Sequence, residues 1–367
     1  YYFYYQWLIL GIWNLHVKGR LKFKIRIKNL FVKFLLKEYR IYLGLRKYLK
    51  LFKNSNSKQY LLKGYYKEGN DKIFFSYDIS DSPFYFDEIG LIKSDIYFKA
   101  QCPIELTNSG FRLSEGVSIP FPQIALEMKD KIVPSMIAPG CRSYNIFSFK
   151  SLQKGYKSLE IHNTNKTGKI MCYFGNALGP KPTYNFSYPD FLSKESDLSG
   201  FYEGLISHPN EKRAKASKII SSLGKNYDGR IINDGTKKNM ELFIPLEEYP
   251  AHISKFEYNL NISGYRMSIP FRFIYSFLVG TAVITDKLHV KWYKPFGKEV
   301  FETVEMGYRL DKDVDWEKFE DDLINIPAIT SEEVRKEFDT KWSPISFATY
   351  FVEACQKKLN EKREETN

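Results

Sequence analysis

The stretch KFEYNLNISGYRMSIPFRFIYSFLVGTAVIT, residues 255–285, sets the fold. It opens on "KFEYNLNIS", a strand-like run ending in small polar residues, and closes on "TAVIT", a second short strand. Between them Ser268 stands where a helix N-cap belongs. Pro270 suits a first helical turn, whose backbone N–H groups have no intrahelical partner. Phe271, Ile274, Tyr275, Phe277 and Leu278 make the segment almost wholly apolar, which predicts a buried helix that stops at Gly280. Strand, buried helix and strand in this order form one unit of an α/β sheet. Arg272 breaks the pattern. A cation in the first turn faces the positive end of the helix dipole, a misplacement of about 0.3–1 kcal/mol unless an anion lies nearby.

Upstream the same alternation recurs. From about residue 70, "KIFFSYD" predicts a strand ending in acids, "SPFYFDEIGLIKS" a helix and "DIYFKAQ" another strand, with "KIVPSMIAPG" in a later β/α-like stretch. "NTNKTG" at 163–168 marks a hinge, after which "KIMCYFGNA" predicts a strand and turn and "NEKRAKASKIISSLG" a helix. Helices over about 315–325, 331–339 and 344–361 close the chain. Two blocks of alternation predict two doubly wound, Rossmann-like α/β domains, over 56–163 and 164–343. Ligands of such sheets bind beyond the C-terminal ends of the strands, here in a cleft between the domains.

The net charge of +12 has one source. Between Lys18 and Lys53 stand 13 basic residues and a single acid, Glu38, so this short stretch carries the whole excess. The body is neutral, which argues against nucleic acid as a partner. Residues 1–55 form a basic, aromatic arm. "RLKFKIRIK" alternates like a two-faced strand, and from Leu30 the apolar spacing is helical, with Lys33, Lys37, Arg40, Lys47 and Lys50 over much of the remainder. Such a helix either packs on its own domain or lies on an anionic membrane, with Trp7, Trp13 and the early tyrosines at headgroup level. No apolar run of about 18 residues or more predicts a membrane span. Cys102, Cys141, Cys172 and Cys355 form no CxxC pair and are expected as reduced thiols, pointing to a cytoplasmic protein, peripheral to the inner face of a membrane if the arm binds lipid. The chain opens on Tyr1 rather than Met, so a preceding segment is expected.

GxSxG, HExxH, P-loop and GxGxxG signatures are absent, and the five histidines are isolated in sequence. "DKDVDW" at 311–316 resembles a DxD metal site, but Trp316 stands where a calcium loop needs glycine and a helix follows, so Asp315 is expected as its cap. Three clusters remain. Asp78 and Asp81, in "SYDISDSP", sit just after a strand, where one carboxylate can accept a proton from an attacking hydroxyl or simply cap a turn. Arg213 opens a helix in "SHPNEKRAKAS" and repeats the puzzle of Arg272. Gly264 and Ser268 allow close backbone approach beside Arg266 and Arg272. Two first-turn arginines in separate strand–helix units share one explanation, a diphosphate held by guanidinium forks and backbone N–H groups.

These residues resemble the hallmark of glycosyltransferase family 90, which includes protein O-glucosyltransferases and capsule-associated sugar transferases. The matching positions are Asn261, Gly264, Ser268, Phe271, Arg272, Phe273, Gly280 and Thr281, and "KWYKPF", "FETVEM" and "DWEKFEDDL" follow in the family's order. "YFGNALG…HPNEKR" is similar to the family's aromatic–Arg–Gly turn followed by a nucleotide-binding arginine, here Arg213, although the turn's Arg is missing. Ile269 and Pro270 also intrude between Ser268 and Phe271. The resemblance covers roughly 70–345. It implies a GT-B fold whose last helix, within 344–367, crosses back to the first domain. It also implies a nucleoside-diphosphate sugar donor, inversion at the anomeric carbon and no metal or other cofactor. Asp81 falls on the family's base, with Asp78 as rival. The donor would be held by Gly175, Arg213, Gly264, Tyr265, Arg266, Ser268, Phe271 and Arg272. The acceptor would be a hydroxyl of a surface glycan, a lipid-linked sugar or a protein. A fucosyltransferase-like or exostosin-like transferase, or a non-catalytic membrane-associated scaffold of the same fold, are the alternatives.

Overall fold

The computed structural model describes residues 2–20, 22, 61–114, 117–142, 148–161, 165–174, 211–232, 239–264, 267–298, 300–304 and 314–365. The architecture is mixed α/β, built on two largely parallel sheets. The basic helix expected over residues 30–52 lies outside the described residues.

Hairpin strands β1 (Leu61–Glu68) and β2 (Asp71–Asp78) open the first block, turning at Gly69, whose φ of +60° suits a tight two-residue turn. Then come β3 (Ile96–Lys99), the short β4 (Cys102–Pro103), β5 (Phe111–Ser114) and β6 (Val117–Ile119), and β7 (Ile132–Pro134). The four-stranded sheet has the order β1-β2-β3-β7, with only β1 antiparallel. Among the described residues its parallel strands follow in chain order, and the reversal expected of a doubly wound sheet is not seen there. Right-handed crossovers place their connections on one face only. Distant segments cover the other.

That cover comes from both ends of the chain. Along β2 the side chains alternate: Phe75 and Tyr77 meet Phe351, while the Ser76 hydroxyl on the opposite face donates to the Gly90 carbonyl. Phe351 belongs to the final helix, Pro344–Glu364, and also stacks on Phe98 of β3 at 3.9 Å between ring centroids. Against this final helix lies α1 (Tyr2–Val17), whose sequence YFYYQWLILGIWNLHV is apolar almost all round and therefore buried. Gly11 makes the contact possible, since a Cβ there would stand 1.9 Å from the Pro344 carbonyl oxygen. Trp7 is fully buried and donates its indole N–H to the Trp342 carbonyl. A headgroup role for Trp7 and Tyr5 is thereby overturned: both side chains are buried in the core. No helix among the described residues is long and apolar enough to cross a membrane.

The remaining α-helices among the described residues are α2 (Glu88–Lys93), α3 (Gln123–Glu127), α4 (Phe149–Lys157), α5 (211–222), α6 (Tyr249–Ile253), α7 (Arg272–Leu278), α8 (Trp316–Asn325), α9 (Ser331–Glu337) and the final α10. Asp315 caps α8 by accepting the Lys318 N–H, as its position predicts. The second sheet joins β8 (Gly168–Phe174), β9 (Tyr227–Ile231), β10 (Phe256–Leu260), β11 (Ala282–Thr285) and β13 (Phe301–Thr303), with the short β12 (Val290–Lys291) outside it. All its pairings are parallel, in the order β13-β11-β10-β8-β9. Numbered within the sheet this is 2-1-3-4-5, one of the two common doubly wound orders, and it reverses between β8 and β10. Right-handed crossovers then set α5 on one face and α6 and α7 on the other. Ser221 of α5 donates to the Gly229 carbonyl of β9, and Tyr249 of α6 meets Tyr275 of α7 edge-on at 6.1 Å.

The halves are tied together. β4 pairs antiparallel with β12, and a His289 Nδ1 to Arg112 carbonyl contact of 2.7 Å extends the join.

Candidate functional site

In a doubly wound sheet the crevice for a ligand opens at the C-terminal ends of the strands, where the order reverses. Here that point lies beyond Phe174 of β8 and Leu260 of β10. The loop Asn261–Gly264 leaves β10 at this place, and both arginines singled out in the sequence converge on it. Arg213 in α5 is 6 % exposed; it donates from Nη2 to the Ser263 carbonyl at 2.9 Å and lies over the Phe174 ring. Arg272, the first residue of α7, is half-buried and donates from Nε to Asn261 Oδ1 at 3.1 Å. The two cations therefore flank one four-residue turn.

The turn is held rigidly. The Asn261 N–H donates to the Ile284 carbonyl and Thr285 Oγ1 to the Asn261 carbonyl, so β10 and β11 stay clamped past their ends. Asp286 is fully buried and accepts both the Ser263 N–H at 2.8 Å and the Ser263 hydroxyl at 2.7 Å. Gly264 donates to the Ser268 carbonyl, and its missing Cβ makes room for Ser268 Oγ, which would lie at 2.3 Å. Met267 closes the turn at φ +59°, left-handed backbone that costs a non-glycine residue about 1–3 kcal/mol. Tyr265, Arg266 and Gly175 lie outside the described residues.

One expectation is corrected here. Ser268 does not cap α7. The helix begins at Arg272, after Phe271, with no side-chain cap, because Ile269 is drawn away toward the first sheet. There the Gln101 side-chain amide donates to the Ile269 carbonyl and accepts its N–H, at 3.0 and 2.9 Å. Several backbone N–H groups of this turn are already engaged within the chain. The N–H groups of Asn261, Ser263 and Gly264 have intramolecular acceptors, and those of Phe273 and Ile274 donate to Pro270 and Phe271. Positive charge at this turn comes from guanidinium groups. Gly280 ends α7 at φ +72°, as expected.

The carboxylates of the first sheet separate into two kinds. Asp78, at the end of β2, is buried and fully engaged. It accepts from Lys99 Nζ and the Tyr97 hydroxyl, both at 2.7 Å, and from the Ser80 N–H at 2.7 Å. Lys99 also donates to Ser80 Oγ and the Tyr85 carbonyl. Burial pushes the Lys99 ammonium below its usual pKa, and Asp78 opposes that shift. This is a structural ion pair that pins the loop after β2. Asp81 stands exposed on the pinned loop.

One further aromatic residue, expected at headgroup level, packs next to Arg272's neighbour Phe271. Tyr4, in the first turn of α1, meets the Phe271 ring at 5.6 Å, and its neighbour Tyr5 meets Tyr77 of β2 at 5.7 Å. Burial first, and then the Asp81 carboxylate, push the Tyr4 phenol above its usual range. The aromatic line continues through Tyr275 and Tyr249 to Tyr173. Burial raises the Tyr249 phenol while the Arg272 guanidinium opposes the shift. Arg142, at φ +50°, donates from Nη2 to the Leu246 and Glu247 carbonyls and fastens the rim across the halves. The only sequence signal for Tyr4 was the all-round apolar character of its helix.

No protein-family model matches this chain, and no curated protein matches it.

Proposed function

We propose that the chain is a glycosyltransferase of the GT-B kind, a distant relative of glycosyltransferase family 90. One observation carries the reading: Arg213 and Arg272 close on the Asn261–Ser263 turn, at the reversal point of a doubly wound parallel sheet. A nucleoside diphosphate fits two guanidinium groups at such a point. Each can bind phosphate oxygens through charge-assisted hydrogen bonds.

The reaction follows from that placement. An acceptor hydroxyl oxygen attacks the anomeric carbon of the bound sugar as the carbon–oxygen bond to the diphosphate breaks. The electron pair leaves with the diphosphate, whose growing charge Arg272 and Arg213 stabilise in place of a metal ion. The hydroxyl proton passes to Asp81, on the loop that follows β2 of the first sheet. Base and leaving-group cations on opposite sides of the sugar give inversion. The acceptor is a glycan, lipid-linked or protein hydroxyl, and the basic stretch 18–53 brings the enzyme to an anionic membrane at the cytoplasmic side.

A thermal-shift screen against UDP-, GDP- and CMP-sugars in a metal chelator tests the reading. A nucleotide at a hundred times its Kd is expected to stabilise the fold by about 2.7 kcal/mol, visible as a clear rise in Tm. A flat response to the whole panel would point to the non-catalytic scaffold.

A further inference from the structure

The first turn of α1 spans the C-terminal ends of the two sheets. Tyr5 rests on Tyr77 at the end of β2, and Tyr4, one residue earlier, reaches Phe271 next to Arg272. α1 is not part of either sheet's winding, and it is held there by buried anchors. Trp7 donates to the Trp342 carbonyl, Gln6 accepts the Cys141 N–H at 2.8 Å, and Gly11 sits against Pro344. A helix anchored this firmly gives its first turn a fixed position. Tyr5 is buried, whereas Tyr4 keeps part of its surface open.

We infer that Tyr4 is a substrate-contacting residue: its ring forms the wall against which the transferred sugar lies, between Asp81 and the diphosphate arginines. The inference rests on the transferase reading above. A pyranose presents a face of C–H groups to an aromatic ring while its hydroxyls stay solvated or hydrogen-bonded. An aromatic wall therefore adds affinity for the sugar and none for the nucleotide. The Asp81 carboxylate raises the Tyr4 phenol, so the ring lies within electrostatic reach of the proposed base. Contact with Phe271 sets the ring beside the residue whose guanidinium would meet the diphosphate.

The test compares UDP with UDP-glucose, UDP-galactose and UDP-N-acetylglucosamine, and GDP with GDP-mannose, by calorimetry on the full chain. In Tyr4→Ala the tightest sugar nucleotide is expected to bind roughly three- to tenfold more weakly, with its nucleoside diphosphate unchanged. Tyr4→Phe keeps both affinities. Tyr4→Leu, which preserves apolar packing on Phe271 but removes the ring, decides the matter if Tyr4→Ala fails to fold. Equal weakening of nucleotide and sugar nucleotide would overturn the inference, because Tyr4 would then only prop Phe271 and Arg272. Unchanged binding of both in folded Tyr4→Leu would overturn it too. Wild-type protein that binds none of these nucleotides would overturn the transferase reading along with it, whereas binding that depends on Arg272 but not on Tyr4 rejects the inference alone.

Discussion

Asp81→Asn is expected to lower turnover by about 10²–10⁴-fold, the usual contribution of one positioned general base. Nucleotide affinity is expected to stay within about twofold, since the proposed diphosphate site belongs to the other sheet. The split follows from geometry. Asp81 is exposed on a loop whose preceding residues are fixed by Lys99, through Asp78 and Ser80. Asp81 is therefore the solvent-exposed carboxylate at this edge, while Asp78 is buried. Glutamine and asparagine variants at both positions, assayed for turnover and for nucleotide binding, separate the two. A folded, fully active Asp81→Asn removes Asp81 from the reaction.

Lys99→Met is expected to cost about 3–5 kcal/mol of folding stability, read as the urea midpoint multiplied by the m-value. Lys99 and Asp78 are both buried, with Nζ and Oδ2 2.7 Å apart. Removing the ammonium leaves the Asp78 carboxylate with the Tyr97 hydroxyl and the Ser80 N–H but without a counter-charge. Asp78→Asn strands the ammonium instead and is also expected to destabilise. The double change Asp78→Leu with Lys99→Met is expected to recover much of the loss, since well-packed apolar groups often replace a buried pair at little cost. Stability unaltered by Asp78→Asn, together with lost turnover, would return Asp78 to the role of base.

Local chemistry made part of this molecule legible in its sequence. The units around β10, α7 and β11, the stop at Gly280, the Asp315 cap and Arg272 in the first turn of α7 all follow from neighbours within a few residues. Ser268 shows where that legibility ends. A cap there was locally sound, but Gln101, 168 residues upstream from its partner Ile269, holds the backbone extended and delays the helix. Asp286 was likewise invisible, since its role depends on the parallel alignment of β10 and β11, which brings it against Ser263. Which N–H groups of the turn are engaged is unreadable for a related reason: it depends on acceptors that only the folded loop supplies.

Composition alone leaves two readings of the N-terminal arm open, packing on its own domain or on a membrane, and for helix Tyr2–Val17 the structure shows packing. Aromatic residues beside a basic run fit a membrane surface, yet a helix with no polar face has nothing to present to water and goes to the core. Gly11 and the single buried Gln6 were the local signs of helix packing rather than lipid contact. The winding of the first sheet was unreadable for the same kind of reason. Its second face is covered by Phe351 and Phe347 of α10, far away in sequence.

The convergence of Arg213 and Arg272 on one diphosphate is tested most directly by calorimetric titration of wild-type protein and Arg272→Ala with UDP and GDP, in the presence of a chelator. Wild-type protein is expected to bind one of them without metal, and Arg272→Ala to bind it roughly ten- to a hundredfold more weakly, the loss of a charge-assisted pair worth about 1.5–3 kcal/mol. Equal affinity in a folded Arg272→Ala, or binding that appears only when a divalent metal is added, would contradict the site.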